Sequence, residues 1–261
     1  ANAQLTVIAA AGQDPDHGLP GVNGKLRKCQ EHVRVGDWIL ARTMAHASYL
    51  ISRSFWSTRA WTYQEGLLSK RRLIFTDQQV LWDCNVMCGT ESLIVPLEVM
   101  HKKDMKKLKK RVQRLPSSAF AMKAPSRKAP YFMQYVSQYS KRRLTYESDA
   151  LNAMQGIFKV FAKAPRKVHQ FYGVPFLPLR YVSDRDPPVS AFLRGLSWVH
   201  KKVAKRRSQF PSWTWAGWSG GAVADDLLLD EWRTLDQTLE IWVEDNESQL
   251  LSVPDWQSLP D

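Results

Sequence analysis

The sequence contains little cysteine. Only three, Cys29, Cys84 and Cys88, occur in 261 residues. A small and odd number argues against a disulfide framework and favours a reducing compartment. Cys84 and Cys88, and likewise Cys29 and His32, have metal-compatible spacing, but the two pairs lie far apart in the sequence. A zinc site usually needs two such Cys or His pairs close together, and neither pair has another beside it. No metal site is therefore predicted.

Long apolar runs and the common catalytic motifs are also missing. No stretch approaches the roughly 18 apolar residues of a spanning helix, so no integral membrane span is expected. There is no Gly-rich phosphate loop, no Gly-x-Ser-x-Gly elbow and no His-x-x-x-His pair. Serine, cysteine and metal hydrolases are therefore unsupported, and no cofactor is predicted. The opening "ANAQLTVIAAAG" lacks an initiator Met and a basic region, so we expect the interior of a longer protein and not a signal peptide.

Acidic residues are scarce relative to basic ones. The chain has 37 Lys and Arg against 25 Asp and Glu, a net charge of +12. The excess is concentrated in "HKKDMKKLKKRVQR" (101–114) and "KKVAKRR" (201–207). Such runs favour an anionic partner, either a membrane surface or a nucleic acid. The alternative for 101–114 is a solvated surface helix, and the lack of aromatic residues among its lysines weakens the nucleic-acid hypothesis.

The remaining composition is typical of a globular protein with short, mixed elements. "PSSAFAMKAPSRKAP" (116–130) reads as a linker between a front part, 1–115, and a back part, 131–261. In the front part the pattern predicts a buried segment at 5–12, a strand at 37–43, helices within 44–69 and a hairpin at 72–84. In the back part it predicts helices at 131–142, 145–164 and 192–202, followed by strands and turns. The predicted fold class is α+β.

"RAWTYQE" (59–65) is the main candidate site. A helix that starts near Thr58 would place Trp61, Gln64, Glu65 and Leu68 on one face. A carboxylate on a face made of Trp and Leu would be partly removed from water. Such a group can act as a general base or hold a ribose hydroxyl.

Two alternatives for this segment stay open. Arg59 could clamp a phosphate, or it could form a structural ion pair with Glu65. "TYQE" also fits the Ser/Thr-x-x-Glu capping box, in which Thr62 caps the helix and Glu65 bonds back to it. In that second interpretation the segment is architectural and not catalytic.

Tryptophan is abundant, with eleven in the chain, and "SWTWAGW" holds three of them. Alternation along a strand would put Trp213 and Trp215 on the same side. There they could stack on an adenine or a sugar ring, although large aromatic residues mostly fill cores.

Four blocks of the sequence resemble a known family. They are "ANAQLTVIAAAGQDPDHGLPGV" at the start, "SFWSTRAWTYQEGLLSKRRLIFTDQQVLWDC" (54–84), "KRRLTYESDALNAMQGIF" (141–158) and "FPSWTWAGWSG" (210–220). Each resembles a block of fungal heterokaryon-incompatibility (HET) domain proteins, in the same order. The chain is similar to the C-terminal portion of such a protein, because the blocks that end "SYVWG" and "WIDALCIDQ" in relatives are expected ahead of Ala1.

The resemblance implies a cytoplasmic protein of non-self recognition between fused hyphae. It would trigger regulated cell death by contacting other proteins of the incompatibility system, and self-association is compatible with the sequence. HET domains have also been likened to TIR domains, some of which cleave NAD with a glutamate. The alternative is therefore a truncated TIR-like front part that hydrolyses NAD together with its missing half. There Glu65 would polarise the ribose and Arg59 would hold the pyrophosphate.

Overall fold

The structure is a computed structural model that describes residues 3–84, 88–92, 132–165, 167–177, 188–224, 240–244 and 249–252. The chain divides into two compact units, Ala1–Pro125 and Ser126–Asp261. The predicted linker 116–130 and the basic run 101–114 lie outside the described residues. Helices are mixed with mainly antiparallel strands in both units, and the predicted α+β class is confirmed.

A four-stranded sheet forms the centre of the first unit. Its strands are β1 (Thr6–Ala9), β4 (Arg71–Phe75), β5 (Val80–Cys84) and β6 (Cys88–Thr90), in that spatial order. β1 pairs parallel with β4, and β4–β5 is the predicted hairpin, with Thr76 in its turn. The Thr76 hydroxyl accepts hydrogen bonds from the Gln78 and Gln79 amides at 3.3 and 3.1 Å. The first strand was expected to be buried, but only Ile8 within it is, because the opposite face of β1 is open and leaves Val7 half exposed.

Three short helices precede the hairpin, as predicted for this region. They are α1 (Ala47–Ser52), α2 (Phe55–Thr58) and α3 (Trp61–Leu68). The core beneath them consists of Ile8, Ile51, Ile74 and Leu81, with Trp56 packed against it. Because Ser54 accepts a hydrogen bond from the Ser57 amide at 3.2 Å, a new helix begins there and the region is divided.

A second hairpin in the first unit precedes α1 in the sequence. It consists of β2 (His32–Val35) and β3 (Trp38–Ala41), joined by a two-residue loop, Gly36–Asp37. Gly36 has a φ of 59°, which suits the first central position of a type II′ turn. The strand predicted at 37–43 is therefore confirmed, and all eight residues of the two strands are exposed.

Helix α4 (Phe132–Tyr139) and helix α5 (Gln155–Ala162) build the core of the second unit. Phe132 stacks on Phe158 with ring centroids 5.7 Å apart, and Phe161 meets Phe132 and Tyr135 edge to face at 5.0 and 5.4 Å. The helix predicted from Thr145 begins only at Gln155. Two 3₁₀ turns, Glu147–Ala150 and Asn152–Met154, occupy the preceding residues.

The rest of the second unit consists of one more helix and short antiparallel pairs. Helix α6 spans Pro188–Leu196; the strands are β7 (Gln170–Phe171), β8 (Val174–Pro175), β9 (Trp198–His200), β10 (Ala222–Ala224), β11 (Trp242–Glu244) and β12 (Leu250–Ser252). β7 pairs with β8, β9 with β10 and β11 with β12. The helix predicted for 192–202 is wrong in its second half, because Trp198–His200 pairs as a strand with β10.

Candidate functional site

The predicted site face of α3 does not point to the core. Thr62, Tyr63, Gly66 and Leu67 are buried, whereas Glu65 is exposed to solvent. On the predicted face Trp61 is exposed and Gln64 is partly exposed. The buried residues include Tyr63 and Leu67, so the face of α3 that packs on the core lies about 180° around the helix from the predicted face. The expected desolvation of the Glu65 carboxylate is therefore wrong.

The capping-box interpretation of 62–65 is also wrong. Helix α3 begins at Trp61, so Thr62 already lies inside its first turn. The Thr62 hydroxyl donates to the carbonyls of Trp56 and Arg59, at 2.6 and 2.8 Å. It thus ties α3 to the end of α2. Arg59, exposed between the two helices, has an extended backbone with a ψ of 138°.

The buried charge in this region belongs to Arg72, which the sequence analysis did not single out. Arg72 and Asp83 are each 3% exposed, and the Arg72 Nη1 lies 3.2 Å from the Asp83 Oδ2. The Arg72 Nε donates to the Gly66 carbonyl and its Nη2 to the Leu67 carbonyl at 3.3 Å. Burial lowers the pKa of Arg72, and the Asp83 charge opposes that shift.

This pair connects the last turn of α3 to the hairpin that follows. The carbonyls at a helix C-terminus have no partner within the helix and carry partial negative charge, so a buried guanidinium is well placed there. The signal was present in the sequence, since the β4–β5 register puts Arg72 directly opposite Asp83. "RAWTYQEGLL" and "RRLIF" are therefore joined by a structural network.

Trp213 and Trp215 do not lie on one strand, contrary to the prediction. Residues 212–214 form a turn, and Trp215 begins a 3₁₀ turn, Trp215–Gly217. Trp215 is 1% exposed, donates its Nε1 hydrogen to the Gly173 carbonyl at 2.7 Å, and meets Tyr139 edge to face at 5.9 Å. Trp213 is 38% exposed and stacks on Phe171. The core alternative is right for Trp215.

The third and fourth sequence blocks, which both belong to the second unit, meet through Arg207. This residue is 6% exposed, and its Nε donates to the Glu147 carboxylate of "TYESDA". Its Nη1 donates to the Trp218 carbonyl at 2.6 Å, within "SWTWAGW". Of the basic run 201–207, Arg207 therefore has a structural role. Lys201, Lys202 and Lys205 are exposed and keep their charges toward solvent.

The exposed hairpin carries an apolar face. Strand pairing places Val33 opposite Leu40 and Val35 opposite Trp38, so these four side chains share one side of the ribbon. Each is at least 55% exposed, and Trp38 reaches 77%. The other side carries His32, Arg34, Ile39 and Ala41. We call the first side the hairpin apolar face.

A cavity of about 500 Å³ lies at the base of this hairpin. It is lined by residues that enter and leave the hairpin, by α1 and by the β4–β5 turn: Lys28, Cys29, Gln30, Glu31, Arg42, Thr43, Met44, Ala45, His46, Tyr49, Leu50 and Gln78. Glu31 pairs with the Arg42 Nη1 at 3.0 Å, and the hydrogen bond and charge of Arg42 lower the pKa of Glu31. We call this cavity the hairpin-base cavity.

The described residues contain neither a cluster of metal-binding side chains nor a helix suited to cross a membrane. No group of three or more His, Cys, Asp or Glu side chains could hold a metal ion within the described ranges. In the same part of the chain, no helix has the length and apolar character needed to cross a membrane. None of the three cysteines, Cys29, Cys84 and Cys88, forms a disulfide bond.

Comparison with known proteins adds no relative to these observations. No family model, no curated protein and no solved structure matches the chain.

Proposed function

We propose that this protein acts in fungal heterokaryon incompatibility as a signalling or effector protein that triggers cell death through contact with a protein partner. The proposal combines the four sequence blocks with one observation, the hairpin apolar face. Val33, Val35, Trp38 and Leu40 expose their side chains together on a two-stranded ribbon. An isolated ribbon of this kind is marginally stable in water, so a covering surface would stabilise it.

The hairpin offers chemistry that suits a polypeptide. β2 and β3 pair only with each other among the described strands, so the ribbon has two outer edges with backbone groups available. A partner strand can add to such an edge by main-chain hydrogen bonds, while apolar side chains give specificity. Lipid headgroups and nucleic acids supply no matching ladder of amide donors and acceptors. A protein of the incompatibility system is therefore the proposed partner.

The hydrolase hypothesis has less support from geometry. Glu65 is exposed, whereas a desolvated carboxylate was the reason to select it. Cleavage of NAD by Glu65 with Arg59, and the likeness of the front part to a TIR domain, stay predictions. Both concern a site whose other half would be supplied by a longer protein.

Binding of an anionic membrane or a nucleic acid also stays a prediction. Within 201–207 it would rest on Lys201, Lys202 and Lys205, because the Arg207 guanidinium is buried and the Arg206 guanidinium donates to the carbonyls of Phe210 and Gly217. Such binding would weaken steeply as salt is raised. Binding that is unchanged between low and high salt would remove this alternative.

The proposal is tested by substituting one side of the ribbon at a time. Trp38→Thr with Leu40→Thr removes apolar surface from the hairpin apolar face while keeping strand propensity. Ile39→Thr is the matched control, because Ile39 is 67% exposed on the opposite side. Each variant is expressed in hyphae that are fused with an incompatible strain, and dying compartments are counted with a viability dye.

We expect the Trp38→Thr/Leu40→Thr variant to lose the death response and Ile39→Thr to retain it. Circular dichroism and the protein level establish that both variants fold. A folded Trp38→Thr/Leu40→Thr variant that kills as efficiently as wild type would contradict the proposal.

A further inference from the structure

The hairpin-base cavity carries more cationic than anionic side chains. Lys28 and Arg42 line it together with a single carboxylate, Glu31. Arg42 is paired with Glu31, but Lys28 forms no ion pair with any residue in the described part of the chain. Glu31 faces both cations, since the Lys28 charge also contributes to the lowered pKa of Glu31, and two cations against one carboxylate leave the lining with one net positive charge. A further cation stands close to the lining, because the Arg53 Nη1 donates to the Tyr49 hydroxyl at 3.1 Å.

His46 adds a ring N–H donor to the lining. The Ser48 amide donates to the His46 Nδ1 at 3.2 Å, and this contact caps helix α1. Because Nδ1 accepts this bond, the ring hydrogen that remains for donation is the one on Nε2. The capping contact fixes the ring and leaves Nε2–H as the group that can donate to a ligand.

Part of the lining is apolar, and the cavity is of ligand size. Met44, Tyr49 and Leu50 supply the apolar part of the lining. A volume of 500 Å³ falls in the range of sites that hold small organic molecules. Cationic and N–H donors on one part of the lining and an aromatic and aliphatic wall on another suit a ligand with an anionic head and a ring.

We infer that the hairpin-base cavity binds a small organic phosphate, with the phosphate held by Lys28 and Arg42 and the ring packed against Tyr49 and Leu50. A phosphate oxygen would compete with the Glu31 carboxylate for the Arg42 guanidinium. Glu31 thus opposes binding and Lys28 favours it. This inference does not depend on the hairpin apolar face or on the proposed partner.

Phenyl phosphate is the probe. Phenol, which has the ring alone, and inorganic phosphate, which has the anion alone, are the control ligands. Cys29 lies in the lining with an exposed thiol, so alkylation by iodoacetamide reports occupancy without a label. Cys84 and Cys88 lie outside the lining and are internal references in the same sample. Mass spectrometry of the peptides gives the alkylation rate of each cysteine, and calorimetry gives the Kd.

The substitutions are predicted to act in opposite directions. We expect Lys28→Gln to raise the Kd for phenyl phosphate about tenfold, because it removes one charge-assisted hydrogen bond. Glu31→Gln should lower the Kd about threefold, since the competing carboxylate is gone. Lys25→Gln, an exposed lysine outside the lining, should leave the Kd unchanged. Saturable protection of Cys29 by phenyl phosphate, and not by phenol, completes the expected result.

Several outcomes would overturn the inference. They are the absence of saturable phenyl phosphate binding, equal protection of Cys29 by phenol, and a Kd in Lys28→Gln equal to that in Lys25→Gln. Because Glu31→Gln should tighten binding, loss of fold in another variant cannot imitate the full pattern. Loss of phenyl phosphate binding would leave the hyphal test of the hairpin apolar face unaffected.

Discussion

Arg72 is the residue on which the stability of the first unit depends most clearly. Its guanidinium bonds Asp83, Gly66 and Leu67 at a site that is 3% exposed. Removal of the cation would leave a carboxylate and two helix-end carbonyls buried without their donor. A buried charge that loses its partner costs far more than the pair contributes, because the remaining group is not solvated.

We therefore expect Arg72→Met to destabilise the first unit by about 3 kcal/mol or more. The measurement is urea unfolding followed by tryptophan fluorescence. Arg71→Met is the matched control, since Arg71 is exposed and its one hydrogen bond to a side chain within the described residues is the donation to Gln4 at 3.2 Å. The double variant Arg72→Met/Asp83→Leu should recover part of the loss. Equal stability of Arg72→Met and Arg71→Met would show that the buried pair is not a structural anchor.

At the residue scale the sequence identified the right segment but the wrong side of it. Trp61 and Leu68 suggested the buried face of α3, whereas Tyr63 and Leu67 occupy it. An eight-residue helix with apolar residues on several sides has no strong periodic signal, so its orientation depends on tertiary packing. The small residues Thr62 and Gly66 allow the buried side of α3 to pack closely against neighbouring elements. Glu65, on the other side of the helix, stays in solvent.

The tight β7–β8 hairpin shows how local backbone geometry places a signature tryptophan. Tyr172 and Gly173 have φ values of 48° and 84°, as in a type I′ turn. The Gly173 carbonyl accepts from the Trp215 Nε1 at 2.7 Å. A Cβ on Gly173 would lie 2.7 Å from the Leu151 Cδ2 and 2.8 Å from the Trp215 Cζ2. The turn and the tryptophan thus fit only if residue 173 has no side chain.

Gly173→Ala should cost about 2 kcal/mol or more, from backbone strain and from displacement of the Trp215 ring. Gly36→Ala provides the comparison, because Gly36 also has a positive φ of 59° but its Cβ would meet no atom within 4 Å. It should cost only about 1 kcal/mol. Thermal unfolding monitored by near-ultraviolet circular dichroism measures both. If Gly173→Ala destabilises the protein no more than Gly36→Ala does, the clash of a Cβ at residue 173 with Leu151 and Trp215 is not a source of instability.

The sequence pattern predicted most helices and strands of the described chain, but not the residues at which they begin and end. The hairpin at 72–84, the strand at 37–43 and helix α4 follow from alternation or helical spacing. The two 3₁₀ turns before α5 were missed because apolar spacing continues through them. The turn at 212–214 was missed because alternate tryptophans imitate a strand. The hairpin-base cavity was not predicted, since it is assembled from three separate segments.

At the scale of the whole molecule, the pH dependence of stability includes a contribution from a buried tyrosine in the second unit. Tyr139 is 2% exposed and its hydroxyl donates to the Ala150 carbonyl at 2.8 Å. Burial raises the pKa of Tyr139, although the nearby Arg207 opposes the shift. Because the folded-state pKa lies above the unfolded value, this contribution is complete below about pH 10. It is lost as pH rises from there through the folded-state pKa.

We expect the free energy of unfolding of the second unit to fall as the pH rises above about 10, and to fall less steeply in Tyr139→Phe. Urea unfolding across this pH range is the measurement. Tyr146→Phe is the control, because Tyr146 is 69% exposed, and its slope should equal that of wild type. Identical slopes in Tyr139→Phe and wild type would exclude Tyr139 as the source.

In the proposed function the protein acts by contact with a partner, and the exposed Glu65 carboxylate of α3 has no chemical role. The most direct measurement is the death response of fused hyphae that express Glu65→Gln, with their NAD content measured in the same cells. We predict that Glu65→Gln kills as wild type does, with an unchanged NAD content relative to wild type. Surviving hyphae with preserved NAD, in the presence of folded Glu65→Gln protein, would contradict the account and favour the hydrolase.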